Sequence, residues 1–485
     1  MDRSITARRV ATLVGEFDRN PAYAGLADAL VLLIGDGRIP EGTRLPSERE
    51  LTEALGVSRT TVTRAYAAVR DAGFADARQG SGTFTQVPGG AARAHDRALL
   101  PRQSDRAAID LNCAAPCAPP QIAGAYAEAA ARLPAYLGSH GYFPAGMPEL
   151  QAAIAALYDA RGLPTDPAQI MVTPGALSGV SIVAAALAAR GDRVLVDTPG
   201  YPNAAERLRS AGARLATTEV DPDQWDLDAA TARVRQVSPR LAYLIPDFHN
   251  PTGLLMSDAQ RERYAAELRR GHVTAIVDES HQLLALEGQA MPRPFAAYAS
   301  STITVGSVSK SFWGGLRVGW VRAPLDQMER LTNARVTLDL GVPVMEQLAT
   351  ARLLEDPDAT LTDHRARLRE QRDALVVAVR AALPDWTFRV PEGGLSLWCQ
   401  LPGPGPGPGR GLGTALADEA ERHGVIVAPG PVFAPDGGLD RFVRIPFTRR
   451  IDELHQAVAG LADAWRAVSA RQAGASRPRG RVMVA

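Results

Sequence analysis

One lysine, Lys310, stands among 53 basic residues; every other cationic side chain is an arginine. With 44 glycines, 36 prolines and abundant alanine, this is the signature of a coding background that swaps lysine for arginine wherever chemistry allows. A primary amine does one thing a guanidinium cannot: it condenses with an aldehyde to a Schiff base. Residues able to complete such a site follow strand-like segments: Tyr201, Asn250, Asp278 with His281, and Lys310 itself. If the aldehyde is pyridoxal phosphate, a carboxylate must keep its ring nitrogen protonated, and Asp278 is the candidate. Tyr201 offers a ring to stack on, and Asn250 a donor for the phenolate oxygen. The phosphate wants helix-terminal amides and an arginine. Gly175 and Ala176 open an apolar helical run, and Arg317 stands seven residues after the lysine.

These residues need a scaffold. From Ile109 onward, strand and helix patterns alternate, which predicts a mostly parallel sheet covered by helices on both faces. The clearest strands are Arg193–Asp197, Leu241–Pro246, Val273–Asp278 and Thr302–Ser307. Ligands of such sheets sit beyond the strands' carboxyl ends, where the nominated residues fall.

The first 86 residues differ in character. Tyr23–Asp36 is apolar at Leu26, Leu30 and Leu33/Ile34, a helical period that stops at Gly37. Ser47 and Glu50 form a capping box for a helix ending at Gly56, and Ser58 caps the next, whose Val62, Ala65 and Val69 face inward. The short LGVS turn between them is the spacing of a helix-turn-helix. After Gly73, ADARQGSGTF reads as two short strands around a Gly-Ser-Gly turn, a wing. The second helix then presents Arg59, Thr60, Thr61 and Arg64, with Ser58 at its start, toward a DNA major groove. Arg49 suits a phosphate or base edge, and the amides of Gly80 and Gly82 let the wing approach the duplex. Residues 1–84 carry 11 arginines against 11 acids. Binding must rest on locally placed arginines, so non-specific affinity is modest and salt-sensitive.

The whole chain of 485 residues is too long for one ordinary core, and its 46% apolar and 22% charged content is that of a globular protein. Lys+Arg and Asp+Glu are equal at 53, which excludes a blanket polyanion-binding surface. Residues 87–108 read as a linker, 109–470 as the large domain and 471–485 as a disordered basic tail; PGPGPGPGR at 402–410 is a low-complexity loop. Cys113, Cys117 and Cys399 lack the partners of a disulfide framework or zinc site and are read as free thiols filling the core. No apolar stretch reaches the ~20 residues of a membrane span, and the N-terminus lacks a secretory pattern. A cytoplasmic protein without metal is expected.

The run LPSERELTEALGVSRTTVTRAY with RQGSGTF resembles the GntR-family winged helix over about 65 residues. HNPTG (His249–Gly253), TPGYPN (Thr198–Asn203), VDESH (Val277–His281) and SVSKSFWGGLRVGW (Ser307–Trp320) resemble a fold-type I pyridoxal-phosphate enzyme of the class I aminotransferase group, across nearly all of Ile109–Ala470. The two together, in this order, resemble the MocR subfamily of bacterial regulators. The fold class implied is multidomain: a helical winged helix-turn-helix plus an α/β aminotransferase-like domain. The resemblance makes Lys310 the Schiff-base lysine, Asp278 the pyridinium partner, Asn250 the O3′ donor and Tyr201 the stacking ring. Ser307 and Arg317 would contact phosphate, Tyr142 the neighbouring subunit's phosphate, and Arg444 in FVRIPFT a carboxylate of an amino-acid effector. It further implies a head-to-tail, domain-swapped homodimer on an operator in double-stranded DNA. The sequence departs from the family pattern at three places. His281 replaces a tyrosine and is expected to titrate near neutral pH; Ala114 replaces a glycine, and Leu177 stands where a glutamine is common. These departures bear on amino-acid turnover more than on cofactor binding. The other function in view is a working aminotransferase that carries a DNA-binding appendage.

Overall fold

The computed structural model describes residues 3–35, 38–39, 42–78, 81–86, 108–403 and 411–475. All but the last residue of the linker, the low-complexity loop from 404 to 410 and wing residue Gly80 lie outside these residues.

The N-terminal head is built by local rules. Ser47 accepts from the Glu50 amide (3.3 Å) while Glu50 accepts from the Ser47 amide (2.8 Å), opening the helix Glu48–Leu55. That helix stops at Gly56, whose left-handed backbone (φ 63°) a β-carbon would strain. Ser58 then caps the helix Arg59–Asp71 by accepting from the Thr61 amide at 3.1 Å. The second helix buries Val62, Ala65, Tyr66 and Val69 against Leu26, Leu30 and Leu33 of Ala22–Gly35. Tyr66 closes this core by donating to the Pro46 carbonyl at 2.8 Å. The wing strands Ala75–Arg78 and Gly82–Thr85 pair antiparallel, within a four-stranded sheet completed by Thr43–Arg44 and Arg3–Ser4.

The large unit holds a seven-stranded sheet. Its order is Ile170–Thr173, Gly319–Arg322, Ile303–Ser307, Thr274–Asp278, Leu241–Leu244, Arg193–Thr198 and Arg214–Glu219. Gly319–Arg322 runs antiparallel to both neighbours; the pairs among the last five strands are parallel. The expected strand Leu241–Pro246 ends earlier, at Leu244, since a proline cannot donate to the ladder. A smaller sheet, Ser396–Gln400, Phe442–Pro446 and Ala428–Pro429, carries Arg444. The final helix, Ile451–Ala475, passes the expected boundary at Ala470: it continues over alanine-rich sequence, and Arg471 pairs with Glu419 at 3.0 Å.

Beneath the sheet's carboxyl edge lies a buried charge cluster. Asp247 receives Arg261 at 2.6 Å and Arg161 at 3.2 Å, and Arg261 and Asp247 are both fully buried. Glu279 lies 4.0 Å from Arg161, and burial pushes its carboxyl up to about 7. Among the described residues no helix is long and apolar enough to cross a membrane.

The head touches the large unit through Arg9, Leu13, Gly35 and Arg38, none of them on the helix Arg59–Asp71. Arg9 bonds to Asp226, Arg38 lies 3.9 Å from Asp221, and the Asp440 amide donates to the Gly35 carbonyl at 3.4 Å. Leu13 shares a cleft with Thr198, Trp398 and Phe442. Arg59, Thr60 and Arg64 remain exposed.

Candidate functional site

Strand ends bring the nominated residues together. Asp278 closes its strand and is buried; its Oδ1 accepts from the Ser280 amide (2.9 Å) and its Oδ2 from the Tyr243 hydroxyl (2.6 Å). Tyr243 escaped sequence reasoning. It sits on the adjacent strand, in register with Ile276, and its only sequence signal is a hydroxyl inside an otherwise apolar strand. Burial, reinforced by Asp278, pushes its phenol well up, so it remains a donor that orients the carboxylate.

Lys310 follows the strand Ile303–Ser307 and donates to the Ala114 carbonyl at 2.9 Å. Burial lowers the pKa of its amine, which favours the neutral, nucleophilic form. Arg444 reaches in from the small sheet, donating to Asn250 Oδ1 at 3.3 Å and to the Asn112 carbonyl, with its guanidinium 4.8 Å over the Phe433 ring. Having accepted from Arg444 through its oxygen, Asn250 has its amide nitrogen as the donor to offer a ligand.

His281 corrects an expectation. Burial and the neighbouring Lys310 push its pKa down to about 4, so it is neutral at physiological pH and does not titrate near neutrality. Its Nδ1 lies 3.0 Å from the Phe248 carbonyl, which can only accept. The ring proton therefore sits on Nδ1, leaving Nε2 an acceptor.

At the other end lies an anion cradle. The 12-residue helix Ala176–Leu187 begins at Gly175 (φ 88°) without a side-chain cap, leaving first-turn amides open to a ligand. Arg317 lies against it, donating to the Pro174 carbonyl at 3.1 Å, and a β-carbon on Gly175 would come within 3.2 Å of its guanidinium. Ser307 is buried, and its hydroxyl lies 2.9 Å from Ser309 Oγ and 3.2 Å from the Val318 carbonyl. A β-carbon on Gly319 would lie 2.6 Å from the Gly175 backbone carbon and 2.7 Å from the Ala176 nitrogen. Gly319→Ala is therefore expected to push the cradle apart and weaken cofactor uptake at least tenfold, measured by absorbance titration, while the circular dichroism stays near wild type.

Tyr201 is half-buried at the start of the helix Pro202–Ser210, its hydroxyl 3.2 Å from Asn203 Nδ2. Burial raises the pKa of its phenol. Tyr142 is 57% exposed and stacks on His140, pointing outward from this chain. Cys399 fills core, but Cys113 and Cys117 are exposed, contrary to the expectation of core thiols. They sit in a proline-rich irregular segment in which Leu111, Pro116 and Pro119 take the buried positions.

On the head, Arg59, Thr60 and Thr61 occupy the first turn of the second helix, and Arg59 lies 3.7 Å from Glu48. Arg49 pairs with Glu53 at 3.6 Å, and Arg64 stacks on Tyr23 with its guanidinium carbon 3.6 Å from the ring centroid. Ser58 is engaged as cap, its Oγ 2.8 Å from Thr61 Oγ1. Gly82 lies in the wing with φ 109°; a β-carbon there would meet Arg44 Nε at 3.0 Å. The Arg49 and Arg59 ion pairs are exposed and weak, so duplex DNA can compete for these arginines. Arg59→Ala is expected to cost about 1–3 kcal/mol on a specific site, with a smaller loss on random DNA; equal losses in a gel-shift titration would contradict base reading.

Fold and site together define a winged-helix DNA-binding head joined to an aminotransferase-type domain. Residues 22–85 match the gntR family of bacterial regulatory proteins, and residues 120–461 match aminotransferase class I and II. The chain belongs to the class I and II aminotransferase family, in the MocR-type group whose members carry a GntR head. It is 30% identical to the regulatory protein MocR of Rhizobium meliloti, named for rhizopine catabolism, over 78% of this chain and 81% of that one. It is 27% identical to the HTH-type transcriptional regulator TauR of Rhodobacter capsulatus, over 82% and 86%. The crystal structure of the α-aminoadipate aminotransferase LysN from Thermus thermophilus, complexed with N-(5'-phosphopyridoxyl)-L-leucine, superposes with a TM-score of 0.68 at 26% identity. The match covers 76% of this chain and 94% of LysN. The class I aminotransferase fold implies pyridoxal phosphate, and the residues fit that group: an amine, an oriented carboxylate, an aromatic face and an anion cradle that a single β-carbon would disturb.

Proposed function

We propose that the chain is a pyridoxal-phosphate-dependent transcriptional regulator whose aminotransferase-like domain senses the cofactor, an amino-acid-type effector, or both. The observation that carries this reading is the exposed readout helix on the same polypeptide as the Lys310–Asp278–Asn250–Arg444 cluster. When bound, pyridoxal phosphate supplies an aldehyde that condenses with amines and a ring that withdraws electrons. The chain's own groups do the rest. Lys310 presents an amine whose burial favours its neutral form, and Asp278, held by Tyr243 and Ser280, keeps a proton on the ring nitrogen. Tyr201 packs the ring, and Asn250 donates to the phenolate oxygen. Arg317, Ser307 and the amides after Gly175 bind phosphate, while Arg444 takes a carboxylate. His281, neutral and an acceptor, holds no proton for the phenolate oxygen.

The active form in this reading is a domain-swapped homodimer on duplex operator DNA in the cytoplasm, with Tyr142 reaching the neighbouring subunit's phosphate. The head contacts described within one chain would then be made across the pair. An effector moves the heads only by binding one arrangement more tightly than the other. The test is incubation of the cofactor-loaded protein with single amino acids and a keto-acid acceptor. Stoichiometric spectral change with altered DNA binding is expected; multiple turnovers without any change in DNA binding would overturn the regulator reading in favour of an aminotransferase.

A further inference from the structure

The turn from Asp221 to Asp226 touches both units. Asp221 and Asp226 receive Arg38 and Arg9 of the head, while Trp225 between them sets its ring edge-on to His249, with centroids 5.4 Å apart. His249 precedes Asn250, which is bound to Arg444. This layer is incompletely satisfied. His249 Nε2 and Asp197 Oδ2 face each other at 3.5 Å, and neither has a hydrogen-bond partner; nor do Trp225 Nε1, Thr198 Oγ1 and Thr218 Oγ1. His249 and Asp197 are almost fully buried, at 1% and 3% exposure. Unpaired buried polar atoms are costly, so a small shift that brings His249 Nε2 and Asp197 Oδ2 within hydrogen-bond distance gives the layer a second arrangement to move into. The cleft shared by Leu13, Thr198 and Phe442 places the same head face two residues from Arg444 along one strand and three from Tyr201 along the chain.

We propose that the Asp221–Asp226 turn and the His249–Asp197 contact beneath it form the relay that couples head docking to occupancy of the cofactor site, with Trp225 as its positioning residue. It rests on the reading of that site given above. Coupling is reciprocal: whatever lets the bound cofactor alter head docking also lets head docking alter cofactor affinity by the same factor. The relay can therefore be tested without an operator.

The experiment titrates the full-length apoprotein with pyridoxal phosphate by absorbance, and follows release of the head by hydrogen exchange of the segment Ala7–Val14. Arg9→Glu is expected to release the head and shift cofactor affinity about fivefold, the low end of measured couplings. The charge-swapped pair Arg9→Glu with Asp226→Arg should restore both readouts. Trp225→Ala should leave the ion pairs in place yet abolish the effect of Arg9→Glu, whereas Trp225→Phe should preserve it. A head released by Arg9→Glu with cofactor affinity unchanged within twofold would overturn the relay while leaving the site intact. Failure of the wild type to take up pyridoxal phosphate would overturn the reading of the site itself, and the relay with it.

Discussion

Lys310→Ala should stay colourless when mixed with pyridoxal phosphate, whereas the wild-type protein should turn yellow and keep its visible absorbance through gel filtration. The expected loss is complete, because the chain has no second lysine to substitute. Lys310→Arg is the sharper control. It retains an N–H donor for the Ala114 carbonyl, yet a guanidinium does not condense with an aldehyde. It should be as colourless as the alanine variant. Non-covalent phosphate binding through Arg317 and the amides after Gly175 should survive in both, seen as retention of radiolabelled pyridoxal phosphate at weaker affinity. A yellow Lys310→Arg protein would contradict the assignment of the amine.

Arg261→Ala should be the most damaging substitution away from the site. The guanidinium is fully buried; besides Asp247 it donates to the carbonyls of Met256 (2.8 Å), Arg293 (3.1 Å) and Pro246 (3.5 Å). Removing one partner of a buried pair costs about 3–5 kcal/mol, because the remaining charge keeps its desolvation penalty. Arg161 would be left to balance both Asp247 and Glu279 alone. Replacing arginine by methionine refills volume but not charge, and should recover only the packing share. The measurement is the urea midpoint of the large unit's transition, followed by tryptophan fluorescence; a midpoint within the error of wild type would refute the accounting. The cluster lies directly under Asp278 and His281, so a milder loss of cofactor affinity should accompany the loss of stability.

Much of this molecule was legible in the sequence, and the reasons are local. Ser47, Glu50, Gly56 and Ser58 fix helix ends through their own backbone chemistry, so the helix-turn-helix could be placed almost to the residue. The strands ending at Asp278 and before Lys310 are short, β-branched segments, and their carboxyl ends point to the site by topology alone. What stayed hidden depends on partners distant in sequence. Tyr243 looks like any strand tyrosine until the neighbouring strand sets Asp278 beside it. His281 was read as a neutral-pH titrator because its type suggested so; burial and Lys310, not residue type, decide its protonation. Arg261, Arg161 and Asp247 carry no motif, and their burial becomes visible only when three separate segments converge. Cys113 and Cys117 were misplaced because thiol burial is a statistical habit, while in their segment Leu111, Pro116 and Pro119 take the buried positions.

The head's apolar core is made almost wholly from residues 5–75, and among the described residues it meets the rest of the protein through a few polar contacts and a shared cleft. In evolutionary terms this makes the head a replaceable cartridge. In the proposed reading, the residues that choose a DNA sequence are distinct from Arg9 and Arg38, which seat the head. Mutation can therefore rewrite the target at Arg59 to Arg64 while selection holds Arg9 and Arg38 fixed. A lineage built this way can move one aminotransferase-like domain onto new genes without having to solve its folding again.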